Sequence, residues 1–86
     1  MFKVSLHKKA IKYYVSLDDK TAKKINKAIE EISENPFEGS HIKKMRGTYE
    51  GNYRYAADDL RIVYRVNAET KIILIEAIGP RGDVYK

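Results

Sequence analysis

No cysteine occurs among the 86 residues, which excludes a disulfide framework and a thiolate metal site. That absence fits a reducing, cytoplasmic compartment. Histidine is scarce as well. His7 and His41 are the two present, in separate segments, too few to assemble a metal centre. The longest clearly aliphatic run, Ile72–Ile75, is far short of a bilayer span, and the N-terminal MFKVSLHKK lacks the apolar stretch of a secretory signal. The glycines do not gather into a phosphate-cradling loop, and neither a Ser/His/Asp order nor a Cys/His pair can be read. Repeats, linkers and low-complexity segments are missing too. These absences point to one small soluble domain over residues 1–86, with no membrane, no metal and no cofactor expected.

One further absence is positional. The first half of the chain contains no arginine: all five, Arg46, Arg54, Arg61, Arg65 and Arg81, lie in the second half, while the first half draws its positive charge from lysine. The net charge is +5, which favours a polyanionic partner. Lysine is a mobile, well-hydrated point charge, whereas arginine carries a planar fork that matches phosphate. Most of the lysines read as solvated helix faces.

What is present reads as helix and sheet. Phe2–Leu6 has the composition of a short strand. Leu6, Ala10, Tyr13 and Leu17 then recur at helical spacing, with Lys8, Lys9 and Lys12 off that face. Asp18 or Asp19 in LDDK can cap a second helix, whose apolar stripe is Ala22, Ile25, Ile29 and Ile32. Pro36 ends it. SHIKKMRG reads as a connector. Strands are expected at about Thr48–Ala57, Leu60–Val66 and Lys71–Ile78, with turns at Asp58-Asp59 and Asn67–Thr70. The fold class is therefore α+β in the order β-α-α-β-β-β: a small antiparallel-rich sheet with an αα-hairpin packed on one face.

Side chains alternate across a strand, so the hairpin around Asp58-Asp59 sorts its residues into two sets. An even loop sets Ala57 opposite Leu60, Tyr55 opposite Ile62 and Tyr53 opposite Tyr64 on one apolar face. On the other face Ala56 meets Arg61, Arg54 meets Val63 and Asn52 meets Arg65. Each helix has a single apolar stripe, enough to cover one face only. The arginines are thus expected on the uncovered side. Two readings of that side stand. It is an anion-binding surface, or it is a solvated face whose arginines pair with Asp58, Asp59, Glu69 or Glu76.

The chain resembles the RelE/ParE superfamily of toxins from type II toxin–antitoxin systems, and within it the RelE branch. The likeness rests on the helical pair ending in ENP, the connector KKMRG, the hairpin Y-R…LRIVYRV, the strand KIILIEAIG and the tail PRGDVY, in that order over nearly the whole length. What the resemblance implies is a ribosome-dependent endoribonuclease that cleaves mRNA in the A site through attack by a 2′-hydroxyl. It also implies silencing by a cognate RelB-like antitoxin. Carried over by position, Arg61 and Arg81 correspond to arginines at the scissile phosphate, and Arg54 to a basic residue beside them. Tyr85 corresponds to a tyrosine that stacks on a base or assists proton transfer. Asn52, Arg65, Lys43, Lys44 and Arg46 are the further residues expected to contact RNA. The alternatives within the superfamily are a ParE-like toxin that binds DNA gyrase without cutting, or a member that retains antitoxin binding alone.

Overall fold

The computed structural model describes residues 1–80, the side chain of Thr48 aside. The elements are β1 (Lys3–Leu6), α1 (Lys8–Val15), α2 (Asp19–Glu34), β2 (Ile42–Lys44), a 3₁₀ turn (Gly47–Tyr49), β3 (Asn52–Ala57), β4 (Leu60–Asn67) and β5 (Ile72–Pro80). They form one five-stranded sheet in the order β1-β5-β4-β3-β2, with the two helices on one face. Only β1 and β5 run parallel. A parallel partner needs a long crossover, and the αα-hairpin and the β2–β4 segment supply it.

The connector expected at SHIKKMRG contains a strand instead. Ile42–Lys44 pairs antiparallel with β3, Ile42 opposite Tyr55 and Lys43 opposite Arg54. Three residues with two lysines make a weak strand signal; the open edge of β3 recruits them, and their charge then guards the edge against further pairing. The strand expected from Thr48 begins at Asn52, because Gly47 (φ 68°) and Gly51 (φ 95°) adopt left-handed conformations that fold the intervening residues into a turn.

The second helix starts at a cap the sequence offers, Asp18 of the two aspartates, while His7 caps the first. The Asp18 carboxylate accepts from the Thr21 N–H at 2.9 Å, and hydrogen bonding by the Thr21 side chain and then by this N–H holds its carboxyl below the usual carboxylate range. A carboxylate with a lowered folded pKa contributes stability that is present above its unfolded value and is lost as pH falls through the folded value. Asp18→Ala should therefore lower the melting temperature at neutral pH, and Asp18→Asn, which keeps an acceptor, should lower it less. The gap between Asp18→Ala and the natural protein should close in acid. A gap of constant size across that range in thermal melts would contradict the capping role.

The core lies between the helices and the inner sheet face. Ala10, Ile25, Ala28 and Ile32 come from the helices, and Tyr55, Ile62, Tyr64, Ile73, Ile75 and Ile78 from the sheet. Each large aliphatic side chain fully buried there contributes about 1.5–3 kcal/mol of apolar transfer. The tyrosines do more than fill space. Tyr55 donates to the Glu31 carboxylate on α2, Tyr64 donates to the Pro36 carbonyl at 2.6 Å, and Tyr14 donates to Asn26 Oδ1 at 2.8 Å across the helical pair. Hydroxyls at the rims of an apolar layer thus fix how the helices sit on the sheet.

One irregularity bears on the site. Ile73 and Ile75 face the core, so strict alternation would send Ala77 inward and Ile78 out. Between β4 and β5, however, Val63 pairs with Ala77 while Tyr64 pairs with Ile75, which leaves Glu76 as an extra residue. Alternation from Ile75 already sends Glu76 to the outer face, beside Asn52 and Arg65; the bulge keeps Ala77 on that face too and returns Ile78 to the core, where it is 6 % exposed.

Candidate functional site

The β3–β4 pairing agrees with the expected register at all six positions, from Asn52 opposite Arg65 to Ala57 opposite Leu60. Arg54, Arg61, Arg65 and Asn52 therefore share the outer face, and Lys43 joins them as the cross-strand neighbour of Arg54. The face is less open than alternation alone suggests. Asn52 is 5 % and Val63 3 % exposed at its centre. Arg81 and Tyr85 lie outside the described residues.

The three arginines have different surroundings. Arg65 is the most exposed; its Nε lies 3.4 Å from Glu76 Oε1, and an Nη2–H reaches Asn52 Oδ1 at 3.4 Å. Asn52 in turn donates from Nδ2 to Glu76. Arg65 is thus locally neutralised, in the way the solvated-face reading expects.

Arg61 is tethered through one terminal nitrogen. Its Nη1 donates to the Asp58 carbonyl at 2.9 Å and to the Leu60 carbonyl at 2.8 Å, both at the β3–β4 turn. Asp58 adopts a left-handed conformation (φ 54°), which an aspartate tolerates. A guanidinium has five N–H donors. Two are committed to the turn, so the Nε–H and the other terminal nitrogen remain to form a fork for an anion. The tether orders the side chain before any ligand arrives.

Arg54 carries an unmet demand. Among the described residues its Nε is the one buried side-chain nitrogen or oxygen without a hydrogen-bond partner. An orphaned buried donor costs about 1–3 kcal/mol, more when charged. Arg54 lines an open cavity of about 370 Å³ together with Lys43, Lys44, Met45, Arg46 and Tyr49. The short strand and the glycine-bounded turn after it thus bring Lys43, Lys44 and Arg46 to Arg54, residues that the sequence had left on a connector. Like charges paired across strands destabilise a sheet, and here Lys43 stands opposite Arg54.

Proton-transfer groups are few. Burial, reinforced by Glu31, pushes the Tyr55 hydroxyl well above its ordinary pKa, and burial with the nearby Tyr53 does the same to Tyr64. Both are neutral donors on the core side and take no part on the outer face. The carboxylate brought to that face is Glu76, which the sequence offers only as a charge partner. Its signal was alternation with the inward Ile73 and Ile75, which already sends Glu76 outward; the IEAI spacing signals the bulge that returns Ile78 to the core.

A larger groove of about 510 Å³ lies between α2 and the β3–β4 turn, with Lys24, Lys27, Glu31, His41, Tyr55 and Asp58 among its walls. It mixes both signs of charge, and neither Arg54 nor Arg61 lines it. Size favours this groove, but the unpaired donor of Arg54 and the one sign of charge around its cavity single out the outer face.

The sequence matches, over residues 4–85, the family described as the ParE toxin of the type II toxin–antitoxin system parDE. The chain belongs to this toxin family. Solved structures agree on the fold. The archaeal RelE of a RelE–RelB complex from Pyrococcus horikoshii OT3 is 28 % identical, with a TM-score of 0.78 over 95 % of this chain and 97 % of that one. The isolated E. coli RelE toxin is 22 % identical, with a TM-score of 0.79 over 99 % and 92 %. A YoeB/ParE toxin from Agrobacterium tumefaciens is 20 % identical, with a TM-score of 0.81 over 93 % and 99 %. No curated protein matches the sequence. This ParE-family toxin has, among its described residues, no helix long and apolar enough to cross a membrane.

Proposed function

We propose that this toxin is an endoribonuclease that cuts mRNA in the ribosomal A site and is held inactive by a RelB-like antitoxin. The observation that carries the reading is the pairing, on one outer face, of a tethered Arg61 with an Arg54 whose buried Nε lacks a partner. Fixed cationic donors are what a phosphodiester needs as it becomes a dianionic phosphorane. Arg61 presents the fork to the scissile phosphate. Arg54 completes its hydrogen bonding on the same or the adjoining phosphate. Lys43, Lys44 and Arg46 run the backbone along the cavity beside β2; Arg81 and Tyr85, which lie outside the described residues, are assigned to the reaction by the resemblance alone. Arginine remains protonated and is a poor proton carrier, so alignment of the 2′-hydroxyl falls largely to the ribosome and cleavage of free RNA is slow.

The antitoxin reading draws on the relatives, of which the archaeal RelE is described in complex with RelB. An amphipathic helical segment suits the groove, where Ala57 and Leu60 form apolar wall and Lys24 and Lys27 can pair with its carboxylates.

The ParE name of the matching family keeps a second reading in play, a toxin that binds DNA gyrase without cutting. Primer extension on translated mRNA separates the two. Cuts inside codons on programmed ribosomes, lost in Arg81→Ala while antitoxin binding persists, are the expected outcome. Supercoiling defects with intact mRNA would replace the endonuclease reading with the gyrase one, and neither effect would leave antitoxin binding alone.

A further inference from the structure

We propose that Glu76 is the proton acceptor for the attacking 2′-hydroxyl, a role that rests on the endonuclease reading above. Alternation from the core-facing Ile73 and Ile75 puts this carboxylate on the outer face, and the β5 bulge sets Ala77 beside it on the same face. Asn52 Nδ2 and Arg65 Nε both approach Oε1, so the carboxylate is held through one oxygen. Oε2 makes no bond to the described residues. A carboxylate oriented through one oxygen and open at the other has the form of a positioned general base. The side chain is 34 % exposed, so a ribose can reach it.

The register supplies the spacing. Arg54, Val63 and Ala77 stand in one row across β3, β4 and β5. Neighbouring strands lie about 4.8 Å apart, so the row spans about 10 Å. Arg61 is two residues along β4 from Val63, about 7 Å. The Glu76 carboxylate reaches across to Asn52 on β3, so it lies over the same outer face as Arg54 and Arg61. Asn52 and Arg65 are then positioning residues, acting through the carboxylate they hold.

The chemistry balances. Glu76 Oε2 takes the proton of the 2′-hydroxyl, and the oxygen lone pair forms the new bond to phosphorus. The bond from phosphorus to the 5′-oxygen breaks, its electron pair leaves on that oxygen, and water supplies the proton. The products are a 2′,3′-cyclic phosphate and a 5′-hydroxyl end, and Glu76 returns its proton to solvent.

Glu76→Gln separates this role from a structural one, because a glutamine Oε1 still accepts from Asn52 and Arg65 while the base is gone. In single-turnover cleavage on programmed ribosomes, Glu76→Gln should lower the rate constant at least about 10²-fold. The half-saturating ribosome concentration should stay within about threefold. Added formate should restore part of the activity of Glu76→Ala, with thermal melts confirming that both variants fold. Cleavage by Glu76→Gln at the natural rate overturns the proposal, as does a loss in both variants that formate leaves unchanged. Should the natural toxin cut nothing on ribosomes, the endonuclease reading itself fails and takes this role with it. Activity in the natural toxin alongside a fully active Glu76→Gln defeats only the assignment of the base.

Discussion

On the proposed endonuclease reading, Arg61→Ala should slow mRNA cleavage on programmed ribosomes by about 10²–10³-fold, the usual cost of removing one donor to a developing oxyanion. The fold should survive. Arg61 is only half-buried, and the two carbonyls it serves at the Asp58–Leu60 turn can turn to water. Loss of such exchangeable bonds costs about 1 kcal/mol or less. Rate and stability are therefore expected to part company. Arg61→Lys tests the geometry: it keeps the charge but replaces the fork with a single point donor, so its rate should fall between the two. Single-turnover kinetics beside thermal melts would check this. A correctly folded Arg61→Ala that cuts at the natural rate would remove the fork from the mechanism, and with it the main reason for reading the outer face as catalytic.

The largest stability loss is expected at Tyr64→Ala. Tyr64 is completely buried, its ring stacks on Tyr53 at a centroid distance of 5.8 Å, and its hydroxyl donates to the Pro36 carbonyl. Truncation opens a cavity the size of a ring and leaves that carbonyl without its donor. Large-to-alanine changes of this kind cost about 3–5 kcal/mol. For a domain of this length each kcal/mol shifts the melting temperature by about 4–8 °C, so a fall of more than about 12 °C is expected. Tyr64→Phe keeps the ring and loses the bond alone, which should cost about 1–3 kcal/mol. The consequence reaches the site, because Val63 and Arg65 flank Tyr64 on β4 and point the other way. Chemical denaturation of the two variants would measure both losses. A Tyr64→Ala protein within about 1 kcal/mol of the natural one would mean that the core does not depend on this ring as its burial implies.

The aromatic column around Tyr64 shows how the two faces are linked. Phe2 packs edge-on to Phe37, and Phe37 edge-on to Tyr53, which stacks on Tyr64. These rings fix the twist and register of β3 against β4 from the core side. On the opposite side the same register sets Arg54 one row from Arg61. A one-residue slip would exchange the two sets, burying guanidinium groups and exposing rings, so the core enforces the arrangement of the cations.

Much of this was legible in the chain. The period-2 alternation of YRYAADDLRIVYR, closed by a two-residue turn, specifies which residues share a face, and the structure reproduces each pair. The Asp18 cap and the stripe through Ile25 and Ile32 were equally readable, since both depend on neighbours within a few residues. The strand at Ile42–Lys44 was not, because a segment this short and charged pairs only where a free edge is presented to it. Nor was the difference among the arginines. Charge pattern treats Arg54, Arg61 and Arg65 alike, and their roles separate only when Glu76 reaches one, the turn carbonyls another, and neither reaches the third.

The sequence by itself determined the α+β order, the side of the sheet that carries the arginines and the resemblance to the toxin superfamily, because these follow from local periodicity and the order of short motifs. The tertiary structure decided that β2 joins the sheet, that Glu76 meets Asn52 and Arg65 while a bulge returns Ile78 to the core, and that Arg54 keeps an unpaired donor above a basic cavity. Those features depend on contacts between residues far apart in the chain, such as Asn52 with Glu76 and Lys43 with Arg54, and periodicity carries no information about which distant groups will meet.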